Sequence, residues 1–166
     1  MEKRRRYVPN LIAEMAECDA NYIRLHRLFP LMGQEDQLEF GIDTVSDCSP
    51  SSRRGAVQST TDDGAIVTIE IQERCPYTTM LTVKVTNEED KPWVKWPSLE
   101  VRVYHDIKSA EVVRFERHRN LKFRYSTPNS DMFQPDEKSQ INKFFGELLT
   151  YCFEHGHSLV PVEIGL

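Results

Sequence analysis

Two side chains that can transfer protons stand next to each other in the sequence, His105 and Asp106. Histidine titrates near neutral pH, and a nearby carboxylate can share its proton, so the pair suits general acid–base chemistry. Three basic residues, Arg74, Arg124 and Lys138, would hold an anion beside it. One hypothesis is therefore an enzyme acting on a small anionic substrate, with His105 or Asp106 as the proton-transfer group.

The same histidine also has a structural interpretation. His105 falls on the strand face that carries Leu99, Val101 and Val103, where a lone histidine is usually a hydrogen-bonded core or rim residue. In an ideal strand Asp106 points to the other face, and only the turn that follows would bring the two together. No nucleophile–base pair accompanies them, so no residue is assigned a catalytic role.

A second constellation collects basic and aromatic residues on one face of the predicted strands. Residues 93–125 carry eight Lys and Arg against four Asp and Glu, and strand alternation places Arg102, Tyr104 and Arg124 together, with Tyr125 ending the last strand. Such a face can bind single-stranded nucleic acid through stacking and phosphate contacts. The chain is acidic overall and only Tyr104 is a suitable stacking platform, so we do not expect a nucleic-acid partner, and a solvated, charge-paired face is the simpler interpretation.

A third cluster lies at the start of the predicted C-terminal helix. Helical periodicity places Lys138 and Asn142 within the apolar arc that holds Phe145 and Leu149. In a structural account, Lys138 extends to the rim while Asn142 hydrogen-bonds the backbone of a loop near residues 125–129. In a functional account, both line a small pocket for an anion at a helix N-terminus.

Metal and cofactor motifs are absent from the sequence. The four cysteines, Cys18, Cys48, Cys75 and Cys152, include no C-x-x-C pair, and no glycine-rich phosphate loop or H-E-x-x-H motif occurs. We expect no cofactor, no metal site and free thiols in a reducing cytoplasm. The basic start of the chain is not followed by an apolar stretch, so we expect neither a signal peptide nor a membrane contact.

Helices are predicted at both ends of the chain. Asn10 caps the first helix and Pro30 ends it, with an apolar stripe at four- and three-residue steps: Leu11, Met15, Cys18, Tyr22, Leu25 and Phe29. Pro135 opens the second helix and Gly156 ends it.

Between the helices the apolar period changes to two, which predicts strands joined by short connections. The predicted strands cover 38–45, 65–72, 77–86, 99–106, 110–116 and 121–125, and the tail at 159–162 adds a short edge strand. Together these elements predict an α+β fold, in which both helices pack on one face of an antiparallel sheet of about five strands.

Length and composition agree with one domain spanning residues 1–166. The chain has 166 residues, 39% of them hydrophobic, and a formal net charge of −5. That length suits one domain with one core, and the composition excludes collagen-like and wholly disordered chains. Residues 46–63 are rich in Ser, Thr and Asp, and are predicted to form a mobile loop or a long hairpin insert.

Several short motifs, taken in order, match one family pattern. They are Val101-Arg-Val-Tyr-His-Asp106, Ala110-Glu-Val112, Arg124-Tyr125 with Pro128-Asn129, and Asp136-Glu-Lys138 with Gln140 and Asn142. Further matches at Tyr7-Val-Pro9, Cys18 with Asn21, and Arg74 with Tyr77-Thr-Thr79 extend the likeness over nearly the whole chain. The sequence resembles the YqiB-like family of small uncharacterised cytoplasmic bacterial proteins. The resemblance implies a cytoplasmic protein and names no reaction.

The favoured function is a non-enzymatic binding or adaptor module. Clustered Arg, Tyr, Lys and Asn without a nucleophile–base pair suit recognition better than catalysis. The partner would be a protein or a small anionic ligand. Candidate binding residues are Arg74, Arg102, Tyr104, His105, Asp106, Arg124, Tyr125, Lys138 and Asn142.

Overall fold

The computed structural model describes residues 8–43, 64–87, 98–115, 119–120 and 136–159. Within them, two helices enclose a run of strands in chain order. The elements are α1 (Leu11–Leu28), β1 (Gln37–Asp43), β2 (Gly64–Arg74), β3 (Thr78–Asn87), β4 (Leu99–Tyr104), β5 (Ser109–Phe115), β6 (Arg119–Asn120), α2 (Glu137–His155) and β7 (Gly156–His157). The predicted loop at 46–63 and the predicted strand at 121–125 lie outside the described residues, as do Pro135 and residues 160–162.

The strands form one antiparallel sheet in the order β6-β5-β4-β3-β2-β1-β7. Strands β1 to β6 therefore follow each other as a meander, as the short connections predicted. Five strands have at least six residues, which confirms the expected number, and β6 and β7 add two residues each. Gly156 and His157 pair with β1 directly after the helix, an edge contact that the sequence pattern does not predict.

Strand alternation gives the sheet one apolar face. The fully or almost fully buried side chains on it include Val67, Ile69, Leu81, Val83, Leu99, Val101, Val103, Ala110 and Val112. Register shifts at Ile71/Glu73 and at Glu100/Val101 insert one extra residue into β2 and one into β5. Such bulges let apolar side chains on both sides of the shift keep facing the core.

Both helices pack on this apolar face, as predicted. Phe145 and Leu149 of α2 and Leu25 of α1 belong to the same buried cluster as the strand residues. Complete burial of a side chain such as Phe145 stabilises the fold by about 1.5–3 kcal/mol. No helix in the described residues is long and apolar enough to cross a bilayer.

Helix α1 has the predicted ends and a different buried face. The Asn10 side chain accepts a hydrogen bond from the Ala13 N–H at 3.2 Å, which confirms the cap. The buried positions are Glu14, Cys18, Asn21 and Leu25. The predicted stripe is wrong at its first two positions, because Leu11 and Met15 are 58% and 64% exposed.

One hydrogen bond between the helices and two within α1 explain that rotation. The Asn21 Nδ2 donates to the Asn142 carbonyl at 2.9 Å. The Arg24 Nη1 donates to Glu17 Oε1 and to Asn21 Oδ1, each at 2.8 Å. Gly146 of α2 leaves room for these three side chains, because a Cβ at that position would lie within 2.7 Å of an atom of each of them. The first half of α1 therefore turns its polar side toward α2 and leaves its apolar side exposed.

The Asn142 side chain also joins α2 to the sheet. Its Oδ1 accepts from the Val112 N–H of β5 and its Nδ2 donates to the Lys138 carbonyl, both at 2.9 Å. The bonded backbone therefore belongs to β5 and to α2 itself, whereas the loop at 125–129 expected from the sequence lies outside the described residues. Asn142 is 3% exposed, so water cannot replace these bonds.

Replacing Asn142 with alanine tests how much these hydrogen bonds contribute to the folding stability. The substitution leaves the buried Val112 N–H without its acceptor, so we expect the free energy of unfolding to fall by about 1–3 kcal/mol. The exposed neighbour Lys143 is the control, and Lys143→Ala should change it by less than about 0.5 kcal/mol. Urea denaturation measures both. An Asn142→Ala protein as stable as the wild type would contradict the structural role.

Candidate functional site

His105 lies where β4 ends and the turn to β5 begins. Its Nε2 is 2.8 Å from the Thr79 Oγ1, and its backbone N–H donates to the Tyr77 carbonyl at 2.9 Å. The Tyr22 ring of α1 meets the imidazole edge to face, with the two centroids 6.3 Å apart. The ring thus lies on the helix-covered side of the sheet, as strand alternation predicted, and Asp106 is exposed beside it.

The surroundings of His105 favour its neutral form. Burial lowers the pKa of His105 from its ordinary value of 6.5, and the electrostatic influence of His26 acts in the same direction. The Asp106 carboxylate opposes them, with a smaller effect on the pKa of His105. A neutral imidazole that is hydrogen-bonded to a buried threonine has mainly a structural role. It can accept a proton only if that hydrogen bond is broken.

Arg74 is engaged by the connector between α1 and β1. Its Nε and Nη2 donate to the Met32 carbonyl at 3.2 and 3.1 Å, and Nη2 also donates to the Glu35 carbonyl. Its Nη1 forms an ion pair with Asp36. The guanidinium therefore holds backbone in place and is not arranged with His105 around an anion.

Tyr104, Glu111 and Lys138 form a chain of polar contacts at the β5 side of the sheet, here termed the edge network. The Tyr104 hydroxyl donates to Glu111 Oε1 at 2.9 Å, and the Lys138 Nζ lies 2.7 Å from Glu111 Oε2. Lys138 is 7% exposed, so the expectation that it extends to the rim is wrong. The carboxylate of Glu111 gives the ammonium a partner, which makes burial possible.

The edge network also affects neighbouring groups. Burial raises the pKa of Tyr104 above its ordinary value of 10, the hydrogen bond to Glu111 raises it further, and Arg102 opposes both. Burial raises the pKa of Cys18 to about 12, and the negative charge of Glu111 adds to the effect. The Cys152 pKa is also about 12 through burial, so neither helix thiol is a thiolate nucleophile at neutral pH.

The structure brings part of the predicted residue set together. Tyr104 and Lys138 both contact the Glu111 carboxylate, Arg102 lies opposite Glu111 in the strand register, and Asn142 lies one helical turn beyond Lys138. His105 and Asp106 follow Tyr104 at the end of β4, and Arg74 contacts a different element. Arg124 and Tyr125 lie outside the described residues.

The sheet face away from the helices carries paired charges. The Lys84 Nζ lies 3.4 Å from Glu70 Oε2, and the Arg114 Nη1 lies 3.0 Å from Glu100 Oε2. This outer face is therefore not a uniformly basic surface in the described part of the chain. No cluster of three or more His, Cys, Asp or Glu side chains that could hold a metal occurs among the same residues.

The N-terminal ends of the two helices enclose a groove of about 260 Å³. Asn21 contacts Asn142 and the Arg27 guanidinium lies 5.7 Å from the Phe153 ring centroid, so the helices run in the same direction. The groove is lined by Val8, Asn10, Ala13, Glu14, Glu17, Ser139, Asn142 and Lys143. It differs from the anion pocket hypothesised at the start of α2, because Asn142 lies in its wall whereas Lys138 is not among its lining residues.

Four large apolar side chains stand exposed at the start of α1, and one of them, Val8, also lines the groove. Val8, Leu11, Ile12 and Met15, here termed the α1 apolar patch, are 79%, 58%, 83% and 64% exposed. Sequence reasoning misses this patch because it assigns Leu11 and Met15 to the core. Sequence reasoning also misses Glu111, because the strand pattern gives nothing that distinguishes this residue from the other acidic residues on the predicted strands.

The fold and the site together define the class of protein. It is a small α+β protein with two parallel helices on one face of an antiparallel meander and a groove at the N-terminal ends of the helices. The chain belongs to the family described as Protein of unknown function (DUF1249), whose profile matches residues 24–158. It is 32% identical over 158 residues, covering 95% of this chain and 99% of the relative, to the uncharacterized protein YqiB of Escherichia coli strain K12. The same values hold for YqiB of strains O6:H1 and O157:H7. No solved structure matches the chain.

The ion pair of the edge network predicts how a single and a double substitution change the folding stability. Lys138→Met leaves the largely buried Glu111 carboxylate without its cation, and we expect a loss of about 3 kcal/mol in the free energy of unfolding. Adding Glu111→Gln should restore at least half of that loss, because no uncompensated charge then remains. Equilibrium denaturation of the single and double variants measures the coupling. Equal stability of the two variants would contradict the assignment.

His105 predicts a pH dependence of stability. Because its pKa is lowered in the folded protein, the unfolded chain binds the proton more tightly. The wild type should lose stability as the pH falls through about 6.5, the unfolded value, toward the lower folded value. His105→Gln keeps a polar partner for Thr79 and should lack this component. Denaturation curves from about pH 7.5 to about pH 5.5 compare the two proteins, and parallel pH profiles would show that His105 does not titrate as argued.

Proposed function

We propose that this chain is a non-enzymatic binding module that recognises a protein partner through the α1 apolar patch and the adjoining groove. The observation that carries the proposal is the exposure of four large apolar side chains, 58–83% each: Leu11, Ile12 and Met15 in the first turns of α1, and Val8 just before the helix. Contiguous exposed apolar surface with a polar rim is typical of protein–protein contact sites. The groove supplies that rim through Asn10, Ser139 and Lys143.

The rigid support of the patch favours recognition by a preformed surface. Asn10 caps α1 directly before Leu11 and Ile12, and the Asn21–Asn142 bond holds the helix against α2. A preformed surface binds with less loss of conformational entropy than a disordered segment. The partner would therefore supply an apolar segment to a helix end that is already in place.

The alternatives have weaker support. A small anionic ligand or substrate needs available cations, whereas Arg74 and Lys138 are bound to backbone carbonyls, Asp36 and Glu111. Those contacts also weaken the hypothesis of an enzyme with His105 or Asp106 as proton-transfer group. Single-stranded nucleic acid is disfavoured by the acidic partners of Lys84 and Arg114 on the outer face.

We also propose that the protein acts in the cytoplasm. The family resemblance supports this location. Cys18, Cys75 and Cys152 form no disulfide among the described residues, which agrees with a reducing compartment.

The double variant Ile12→Asp/Met15→Asp tests the proposed surface. Both positions are exposed, so folding stability should change by less than about 0.5 kcal/mol per site, while a partner contact at the patch should weaken at least about tenfold. The matched control is Ile107→Asp, because Ile107 is 64% exposed and lies in the β4–β5 turn, away from the patch.

The assay combines capture and reconstitution. Partners captured from lysate by the wild type and by Ile107→Asp, and not by the double variant, are purified and their affinities for all three proteins measured. Retained affinity in the double variant would overturn the surface assignment. Absence of any captured partner, together with turnover in an unbiased substrate screen, would favour the enzyme hypothesis.

A further inference from the structure

A cleft of about 570 Å³ lies on the outer face of the sheet, on the side away from both helices. Its lining includes Glu70, Thr82, Lys84, Ser98, Glu100 and Arg114, which belong to β2, β3, β4 and β5 and to the residue just before β4. The volume falls within the range of about 300–1,000 Å³ that is common for small-molecule sites. None of these residues belongs to the α1 apolar patch or to its groove.

Two hydroxyl-bearing side chains, Thr82 and Ser98, line this cleft. Thr82 is 7% exposed. The Ser98 Oγ is buried and has no hydrogen-bond partner among the described residues. Buried hydroxyls are normally bonded, and the exceptions call for an explanation such as a ligand. A molecule bound in the cleft would supply the missing partner of Ser98.

The charges around Thr82 are balanced and ordered. Glu70 and Glu100 are its direct neighbours in the register on β2 and β4, so the two carboxylates flank the threonine about 10 Å apart at their Cα atoms. Each has a cation beside it, with Lys84 at 3.4 Å from Glu70 and Arg114 at 3.0 Å from Glu100. A simple anion would be repelled by the carboxylates and a simple cation by Lys84 and Arg114.

We propose that this cleft binds a small zwitterion that carries an ammonium and a carboxylate group, such as a free α-amino acid or a short peptide. The ligand's ammonium donates to a Glu70 or Glu100 carboxylate and to the Thr82 hydroxyl. Its carboxylate accepts from Lys84 or Arg114 and from the Ser98 hydroxyl. All four side-chain charges are partly exposed, so they can exchange an internal partner for the ligand without local unfolding.

The test is a titration of the full chain, followed by amide chemical shifts and by calorimetry. The probes are glycine, the other common free L-amino acids and glycylglycine, with acetate and methylammonium as single-charge controls. We expect at least one zwitterion to bind with a Kd below about 10 mM and to shift amides near Thr82. Binding of amino acids, or of glycylglycine alone, would identify which source of the zwitterion the cleft accepts.

Variants connect that binding to the cleft. Thr82→Val keeps the shape of the side chain and should weaken binding about fivefold, and Arg114→Gln should weaken it at least about tenfold. Thr86→Val is the matched control, since Thr86 lies on the same face of β3 about 13 Å further along, and it should bind like the wild type. Circular dichroism verifies that each variant is folded.

Three results would overturn the proposal. The first is that no zwitterion binds at concentrations up to about 10 mM. The second is that acetate or methylammonium alone binds as tightly as the amino acids. The third is that folded Thr82→Val and Arg114→Gln proteins bind with wild-type affinity.

Discussion

The position of the helix layer depends on one buried asparagine. Asn142 accepts the Val112 N–H of β5 with its side chain and the Asn21 amide of α1 with its backbone carbonyl, so a single residue joins both helices to the sheet. The side-chain amide is bonded at both of its ends, since Oδ1 accepts from Val112 and Nδ2 donates to the Lys138 carbonyl. Since Asn142 is only 3% exposed, the alternative to these bonds is an unpaired polar group at a buried position, which is costly.

That constraint determines what the rest of α1 and α2 can expose. With Asn21 turned toward α2, the opposite side of the first turns of α1 must face outward, which leaves Ile12 and Met15 at the surface. With Asn142 fixed on β5, Lys138 one turn earlier is placed within reach of Glu111. The apolar patch and the buried ion pair are therefore two consequences of the same polar helix interface.

Different faces of the molecule carry different kinds of side chain. Basic residues that the sequence suggests for anion binding are neutralised internally, Arg74 by the connector before β1 and Lys138 by Glu111. The surface left for recognition is apolar at the helix end and charge-balanced on the outer sheet face. A protein partner on one side and a small zwitterion on the other are compatible with this separation, because their sites share no residue.

The sequence alone determines the order and type of the elements, because apolar periods of 3.6 and 2, the Asn10 cap and the short connections are local properties. It also places Asn142 inside and Tyr104 on the outer face. Only the tertiary structure decides which groups meet across the fold. The partners of Lys138, Arg74 and His105 are Glu111, Met32 and Thr79, each at least 26 residues away in the sequence. Periodicity shows which side of a helix is apolar, whereas packing against α2 decides which side is buried, and for the start of α1 the two differ.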